Sequence, residues 1–80
     1  MIEIRDVITL DDNNEYVVAS IANYENKKYY YLIDINNHQN ILFCYEENET
    51  LVESIDKDIN TKLLPLFYKN GKDILEEYNN

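Results

Sequence analysis

The sequence is poor in the residues that special loops, cross-links and kinks usually need. It has one glycine, one proline, one cysteine and no tryptophan among 80 residues. A single glycine excludes a glycine-rich phosphate-binding loop, and a single cysteine, Cys44, excludes an intrachain disulfide and favours a reducing compartment. No apolar run approaches the roughly 20 residues of a membrane-spanning helix, and the acidic N-terminus lacks the apolar region of a signal peptide. We therefore expect a cytoplasmic protein that does not enter membranes.

Positive charge is equally scarce. Seven basic residues stand against 16 acidic ones, which gives a net charge of −9 at pH 7. Without a basic patch the chain cannot displace the counterions of DNA or RNA, so direct nucleic-acid binding is not expected. Its field instead attracts cationic partners over a screening length of about 8 Å at physiological salt. With 45% hydrophobic residues, a single domain over residues 1–80 has enough apolar surface for a compact core.

Apolar and polar residues alternate over residues 7–55, as expected for β-strands. The strands predicted from this pattern are 7–10, 15–24, 28–35, 41–45 and 51–55, the last at an edge of the sheet. Turns rich in asparagine separate them, and Asn13 and Asn14 can take the positive φ that a hairpin needs. Short connections between successive strands predict an antiparallel meander of about four to five strands.

The same alternation assigns side chains to the two faces of the sheet. In the second strand it places Val17, Ala19 and Ile21 on one face, and Tyr16, Val18, Ala22 and Tyr24 on the other. In the third strand the predicted core face carries Tyr29, Tyr31, Ile33 and Ile35. Tyr30 lies opposite, beside charged residues, and we expect it to be the tyrosine of this triplet that a partner can reach.

In the C-terminal third the spacing of apolar residues lengthens from two to four residues, as in Ile59, Leu63 and Phe67. This spacing predicts an amphipathic helix over about 56–78 that packs on one face of the sheet. Its candidate N-caps are Asp56, Asp58 and Asn60.

Two features leave the course of this helix open. Pro65 inside a helix costs about 3 kcal/mol, which predicts a kink or a late start. Asn70-Gly71 can end the helix in a left-handed cap before a second helix at 73–78, or can turn a hairpin between 67–69 and 72–74. The helical alternative is favoured because residues 74–78 do not alternate. The predicted fold is therefore α+β, a meander with an intact, kinked or split C-terminal helix.

Residue patterns for catalysis or metal binding are weak. His38 stands in a polar loop without an evident partner, and Cys44 lies in the middle of a strand, where cysteine usually acts as a small hydrophobe. Residues 11–15 are rich in oxygen ligands but lack the glycine and the final carboxylate of a calcium-binding loop. We expect no catalytic residue, no cofactor and no metal, and predict that the protein is not an enzyme.

Acidic residues are densest around the predicted fifth strand, at Glu46, Glu47, Glu49, Glu53, Asp56 and Asp58. Charge here can simply keep an edge strand from aggregating. It can also form a docking surface for a basic protein partner, with Tyr30 or Tyr45 as an aromatic anchor. The predicted function is a non-catalytic protein-interaction module, as a monomer or a homodimer. The alternative is an inhibitor whose carboxylates mimic nucleic-acid phosphates, of the anti-CRISPR or anti-restriction type.

The order of motifs resembles the YrzB-like family of small acidic bacterial proteins, a domain of unknown function. The similar stretches are ITLDDNNEYVV, YENKKYYYLIDI and ILFCYEENETLVESI, followed by the amphipathic run to Phe67, so that the resemblance covers residues 7–68. Asparagines replace the glycines more usual in the family's turns, and Pro65 and the tail after Tyr68 depart from its pattern. The resemblance implies a cytoplasmic bacterial protein and assigns no functional residues.

Overall fold

The computed structural model describes residues 2–78, which form one antiparallel sheet and a C-terminal helix. The elements are β1 (Val7–Thr9), β2 (Glu15–Tyr24), β3 (Lys27–Asp34), β4 (Ile41–Glu47), β5 (Thr50–Glu53) and α1 (Lys57–Tyr78). The strands lie in the order β1-β2-β3-β4-β5, each antiparallel to the next. The predicted α+β meander with a C-terminal helix is confirmed.

The turns show how a chain with one glycine makes tight hairpins. Glu25 and Asn26 join β2 to β3 with φ values of 50° and 65°, and Asn48 and Glu49 join β4 to β5 with 50° and 66°. Two successive positive φ values are typical of the type I′ turn, whose twist matches that of the flanking strands. Of the two asparagines expected to take a positive φ before β2, Asn13 does so, with φ 65°, and Asn14 does not.

A β-bulge in β2 changes which side chains share a face. Val18 pairs with Leu32, whereas Ser20 pairs with Tyr31, so Ala19 is one residue more than β3 can match. Beyond the bulge the alternation is inverted. Ile21 therefore packs with Tyr16 and Val18, while Ala22 and Tyr24 pack with Val17 and Ala19. The predicted faces were wrong from Ile21 onward, because simple alternation cannot detect an extra residue.

One face of the sheet is covered by α1. Phe67 is fully buried there, with its ring centroid 5.5 Å from Tyr31 and 5.0 Å from Phe43. Leu63, Ile74 and Leu75 are the other buried apolar residues of the helix, and they pack with Tyr29, Tyr31 and Ile33 of β3. The predicted core face of the third strand is confirmed.

The opposite face is also buried, although no helix of the described chain covers it. Its centre comprises Tyr16, Val18, Tyr30, Leu32 and Cys44, and around it pack Ile2, Ile8, Leu10, Ile21, Leu42 and Leu51. Ile2, Ile8 and Leu10 come from β1 and its flanking residues, and Leu51 comes from β5, so the sheet curls and both of its edges pack on the same inner face. We call this the concave face. The expectation that Tyr30 is reachable was wrong: its exposed fraction is 0%.

The helix begins after Asp56, whose Oδ1 accepts hydrogen bonds from the amides of Asp58 (2.9 Å) and Ile59 (3.2 Å). Asp56 is thus the N-cap. The candidate Asn60 does not cap the helix; its Oδ1 accepts a hydrogen bond from the Ser54 hydroxyl. The helix continues through Pro65 and departs from helical geometry at Gly71, with φ −131° and ψ 28°. The kink or late start predicted at Pro65 is therefore wrong. The break predicted at Asn70-Gly71 is confirmed, but φ of Gly71 is negative, so the left-handed cap is wrong, and so is the hairpin.

The kink of the helix fits the bulge of the sheet. The Ser20 hydroxyl donates to the Phe67 carbonyl at 2.7 Å, and the Asn70 side-chain amide donates to the Ile21 carbonyl at 2.9 Å. A Cβ on Gly71 would lie 2.3 Å from the Ala19 carbonyl oxygen, so glycine is required for close contact between backbones. The contact fixes the helix on β2 and leaves the concave face free of it.

Candidate functional site

The concave face opens to the surface through a groove between β1 and β5, with a volume of about 520 Å³. Its apolar lining comes from both edges of the sheet and from β4: Ile2, Ile8, Leu10, Leu42 and Leu51. These side chains are each partly buried against the inner core. The groove is thus an unfilled continuation of a hydrophobic core, the kind of concave apolar surface that binds ligands or partners.

Cys44 lies at the floor of this groove and is almost completely buried. Burial, with a smaller contribution from the carboxylate of Glu53, raises the pKa of the Cys44 thiol to about 11. The thiol is therefore protonated at neutral pH, and a protonated thiol is a poor nucleophile and metal ligand. Cys44 contributes apolar surface to the floor.

The rim of the groove is acidic. Asp11, Asp12 and Glu53 line it, and no basic residue does so within the described chain. Asp12 is held in place because its Oδ2 accepts a hydrogen bond of 2.8 Å from the Tyr16 hydroxyl. A cation at the rim would meet negative charge beside apolar surface.

A polar network anchors this end of the concave face. The Asn40 side-chain amide donates to the Tyr16 hydroxyl at 3.2 Å and to Asp34 Oδ2 at 3.0 Å. The amide of Asn36 donates to Asp34 Oδ1 at 2.8 Å, and these bonds, the backbone one first, lower the pKa of Asp34. Burial, and then the bond to Asp12, raises the pKa of Tyr16. The hydrogen bonds of this network tie the loop after β3 to the start of β2.

Both strands beside the groove are edges, since β1 pairs only with β2 and β5 only with β4 in residues 2–78. Directly after β1, the amide of Leu10 donates to the carbonyl of Asn14, which precedes β2. Directly after β5, the amide of Ser54 donates to the carbonyl of Phe43 in β4. Hydrogen bonding to a neighbouring strand alternates along a β-strand. The amide and carbonyl groups of Thr9 therefore point away from β2 and toward the groove, and those of Leu51 and Glu53 point away from β4 and toward the groove.

The six predicted partner-binding acids are not gathered on one face. Glu46 pairs with Leu51 and Glu53 pairs with Cys44, so both belong to the concave face, whereas Glu47 pairs with Thr50 on the other face. Three more lie outside the sheet: Glu49 in the hairpin turn, Asp56 at the helix N-cap and Asp58 in the first helical turn. All six are exposed. Among them, Glu53 alone lines the groove.

Of the two predicted aromatic anchors, Tyr30 is excluded by its burial. Its hydroxyl donates to Glu46 Oε1 at 3.2 Å, and burial, then this bond, raises the pKa of Tyr30 to about 12. Tyr45 is half-buried on the helix side of the sheet. Its ring lies 5.8 Å from that of Tyr29 and beneath the Lys27 ammonium at 4.4 Å, a cation–π contact. Neither tyrosine lines the groove.

The groove residues that sequence patterns missed are Leu10, Asp11, Asp12, Leu42 and Leu51. We had considered Asp11 and Asp12 as ligands of a calcium-binding loop and as turn residues, but not as part of a groove. The available signal was the presence of apolar residues on both faces of short edge strands. What brings them together is the curl of the sheet, which alternation does not encode.

His38 and Cys44, the two residues considered for catalysis, lie in different parts of the molecule. His38 is exposed in the loop after β3, with its ring 4.9 Å from that of Tyr78, whereas Cys44 lies under the groove. Within residues 2–78 no group of three His, Cys, Asp or Glu side chains could hold a metal ion. The absence of catalysis stays a prediction.

Comparisons with family models, curated proteins and solved structures find no match to this chain. The resemblance to the YrzB-like family therefore stays a prediction. In the part of the chain that the structure describes, no helix has the length and apolar character to cross a membrane.

Proposed function

We propose that the protein is a non-catalytic interaction module that binds a protein partner through a basic surface of that partner. The observation that carries the proposal is the groove: about 520 Å³ of largely apolar space whose rim has three carboxylates and, in the described residues, no base. Protein interfaces commonly combine an apolar centre with a charged rim. The net charge of −9 also supports a partner with a positively charged surface.

The setting that we propose is the bacterial cytoplasm. The single, buried cysteine supports a reducing compartment, and the family resemblance of the sequence supports a bacterial source. A monomer and a homodimer both agree with the proposal. Light scattering coupled to size-exclusion chromatography distinguishes them.

Affinity capture from a lysate of the source organism tests the proposed function. The wild-type protein should retain a basic protein at low salt and release it as salt rises, because charge attraction is screened. The matched baits are a rim variant (Asp11→Lys with Glu53→Lys), an outer variant (Glu47→Lys with Glu49→Lys) and a helix variant (Asp73→Lys with Glu76→Lys), all with the same net charge. The function is wrong if no basic protein is enriched over bare resin, or if all three variants capture it as well as wild type.

The alternative, a mimic of nucleic-acid phosphates, makes a distinct prediction in the same experiment. The captured protein would bind DNA or RNA, and an added oligonucleotide would displace it. Such a mimic needs carboxylates in line along one face, whereas the predicted acids lie on both faces of the β4–β5 hairpin and at the helix start. This distribution of the acids favours the interaction module over the mimic.

A further inference from the structure

We propose that the groove takes an extended segment of the partner, which adds as a strand between β1 and β5 and carries its cationic residues at its N-terminal end. This inference rests on the proposed function and names the chemistry of the partner. It follows from three features of the groove: unpaired backbone, direction of the strands, and position of the acids.

The first feature is the unpaired backbone on both sides. Thr9 of β1 and Leu51 and Glu53 of β5 direct amide and carbonyl groups toward the groove, and no strand of the described chain pairs with them. An extended peptide can satisfy such groups by strand addition, in which main-chain hydrogen bonds supply affinity and side-chain pockets supply specificity. The inner-facing side chains of an added strand would contact Leu10, Leu42 and Leu51 and complete the concave core.

The second feature is that β1 and β5 run in the same direction, since four antiparallel steps separate them. A single inserted strand can therefore be antiparallel to both neighbours at once. Antiparallel pairing is slightly more stable per residue than parallel pairing. The strands are short, three residues in β1 and four in β5, so about four residues of the segment would be paired, or roughly 13 Å of strand.

The third feature is that the acids lie toward one end. Asp11 and Asp12 follow the C-terminal end of β1, and Glu53 is the C-terminal residue of β5. A strand antiparallel to both places its N-terminal end there. The segment that fits best therefore begins with two cationic residues and continues with apolar residues at every second position.

Synthetic peptides test the direction and the charge separately. The probe is acetyl-Lys-Arg-Val-Thr-Val-Thr-Val-amide with a fluorophore, titrated with the protein and followed by fluorescence anisotropy. We expect saturable binding below about 1 mM, the affinity range of a weak short-peptide contact. The same residues in reverse order, and a peptide with Glu-Glu in place of Lys-Arg, should each bind roughly tenfold or more weakly, because their charges are misplaced or reversed. A third control is the probe with alternate amides N-methylated, which cannot pair on that edge and should lose binding.

Protein variants locate the contact. The rim variant (Asp11→Lys with Glu53→Lys) should bind the probe roughly tenfold or more weakly, while the helix variant (Asp73→Lys with Glu76→Lys), of equal net charge, should change binding less than about twofold. Amide hydrogen exchange supplies a second measurement: the amides of Thr9, Leu51 and Glu53 should gain protection on binding. Circular dichroism confirms that both variants fold.

Several outcomes overturn the inference: no binding up to 1 mM, equal binding of the reversed or N-methylated peptide, or equal loss of binding in the rim and helix variants. The proposed function can survive this failure. Capture of a basic protein that is lost in the outer variant (Glu47→Lys with Glu49→Lys) and kept in the rim variant would retain the module and reject the groove. Failure of every variant to alter capture rejects the module itself.

Discussion

The two faces of the sheet are buried in different ways. On one face, a kinked helix fits a bulged strand, with Gly71 against the backbone of Ala19 and the Ser20 hydroxyl bonded to the Phe67 carbonyl. On the other, the sheet covers itself by curling, and its edge strands β1 and β5 do not pair with each other within residues 2–78. The first face is closed by contacts that allow little change. The second stays open at the groove, and our proposal places partner binding there, on the side of the sheet opposite the helix.

Replacement of Gly71 by alanine should have one of the two largest effects. Its Cβ would lie 2.3 Å from the Ala19 carbonyl oxygen and 2.6 Å from Ser20 Cβ, so the helix must move off the bulge. We expect the free energy of unfolding to fall by about 3 kcal/mol, the upper part of the range for overpacking. Urea denaturation measures it, with Lys72→Ala as the exposed neighbouring control. A Gly71→Ala protein as stable as that control would show that the fit between kink and bulge is loose.

A pair of leucine truncations compares the two faces directly. Leu63 is fully buried under the helix, whereas Leu51 is half-buried beside the open groove. Leu63→Ala should cost about 3 kcal/mol, since it leaves a cavity in a closed core, and Leu51→Ala about 1 kcal/mol, since water already reaches the site. The difference between the two denaturation midpoints checks this. Equal costs would mean that the concave face is as tightly closed as the helix face.

Much of this comparison was accessible from sequence, and the limits are physical. Alternation and a change of period identified the strands, their order and the helix, because side-chain burial repeats with the backbone geometry of each element. The break at Gly71 had a local signature in Asn70-Gly71, whereas the bulge at Ala19 adds one residue to a strand without any change in residue type that marks it. The burial of Tyr30 and the groove beside Leu10 and Leu51 depend on the curl of the whole sheet.

The ionisation of Tyr30 tests how completely water is excluded from the concave core. Its pKa of about 12 lies above the usual value of 10, so the folded state holds this proton more tightly than the unfolded state does. The stabilisation is complete below pH 10 and is lost as pH rises toward 12. Tyr30→Phe removes the bond to Glu46 and should cost about 1 kcal/mol at neutral pH. It should also flatten the loss of stability between pH 10 and 12, measured by urea denaturation. A Tyr78→Phe control, at a tyrosine on the helix side of the sheet, should keep the steep loss.

Asp34 should produce the smallest effect, at the polar end of the same face. Hydrogen bonds from Asn36 and Asn40 lower its pKa in the folded protein. A lowered folded pKa contributes stability above the unfolded value, about 3.9, and this contribution is lost as pH falls through the folded pKa. Asp34→Asn should therefore make the free energy of unfolding less dependent on pH below about 4 than in wild type. The control is Asp73→Asn, on the exposed side of the helix. If both variants follow the wild-type curve, the network around Tyr16 closes the loop without needing the charge, and the concave face owes its shape to apolar packing alone.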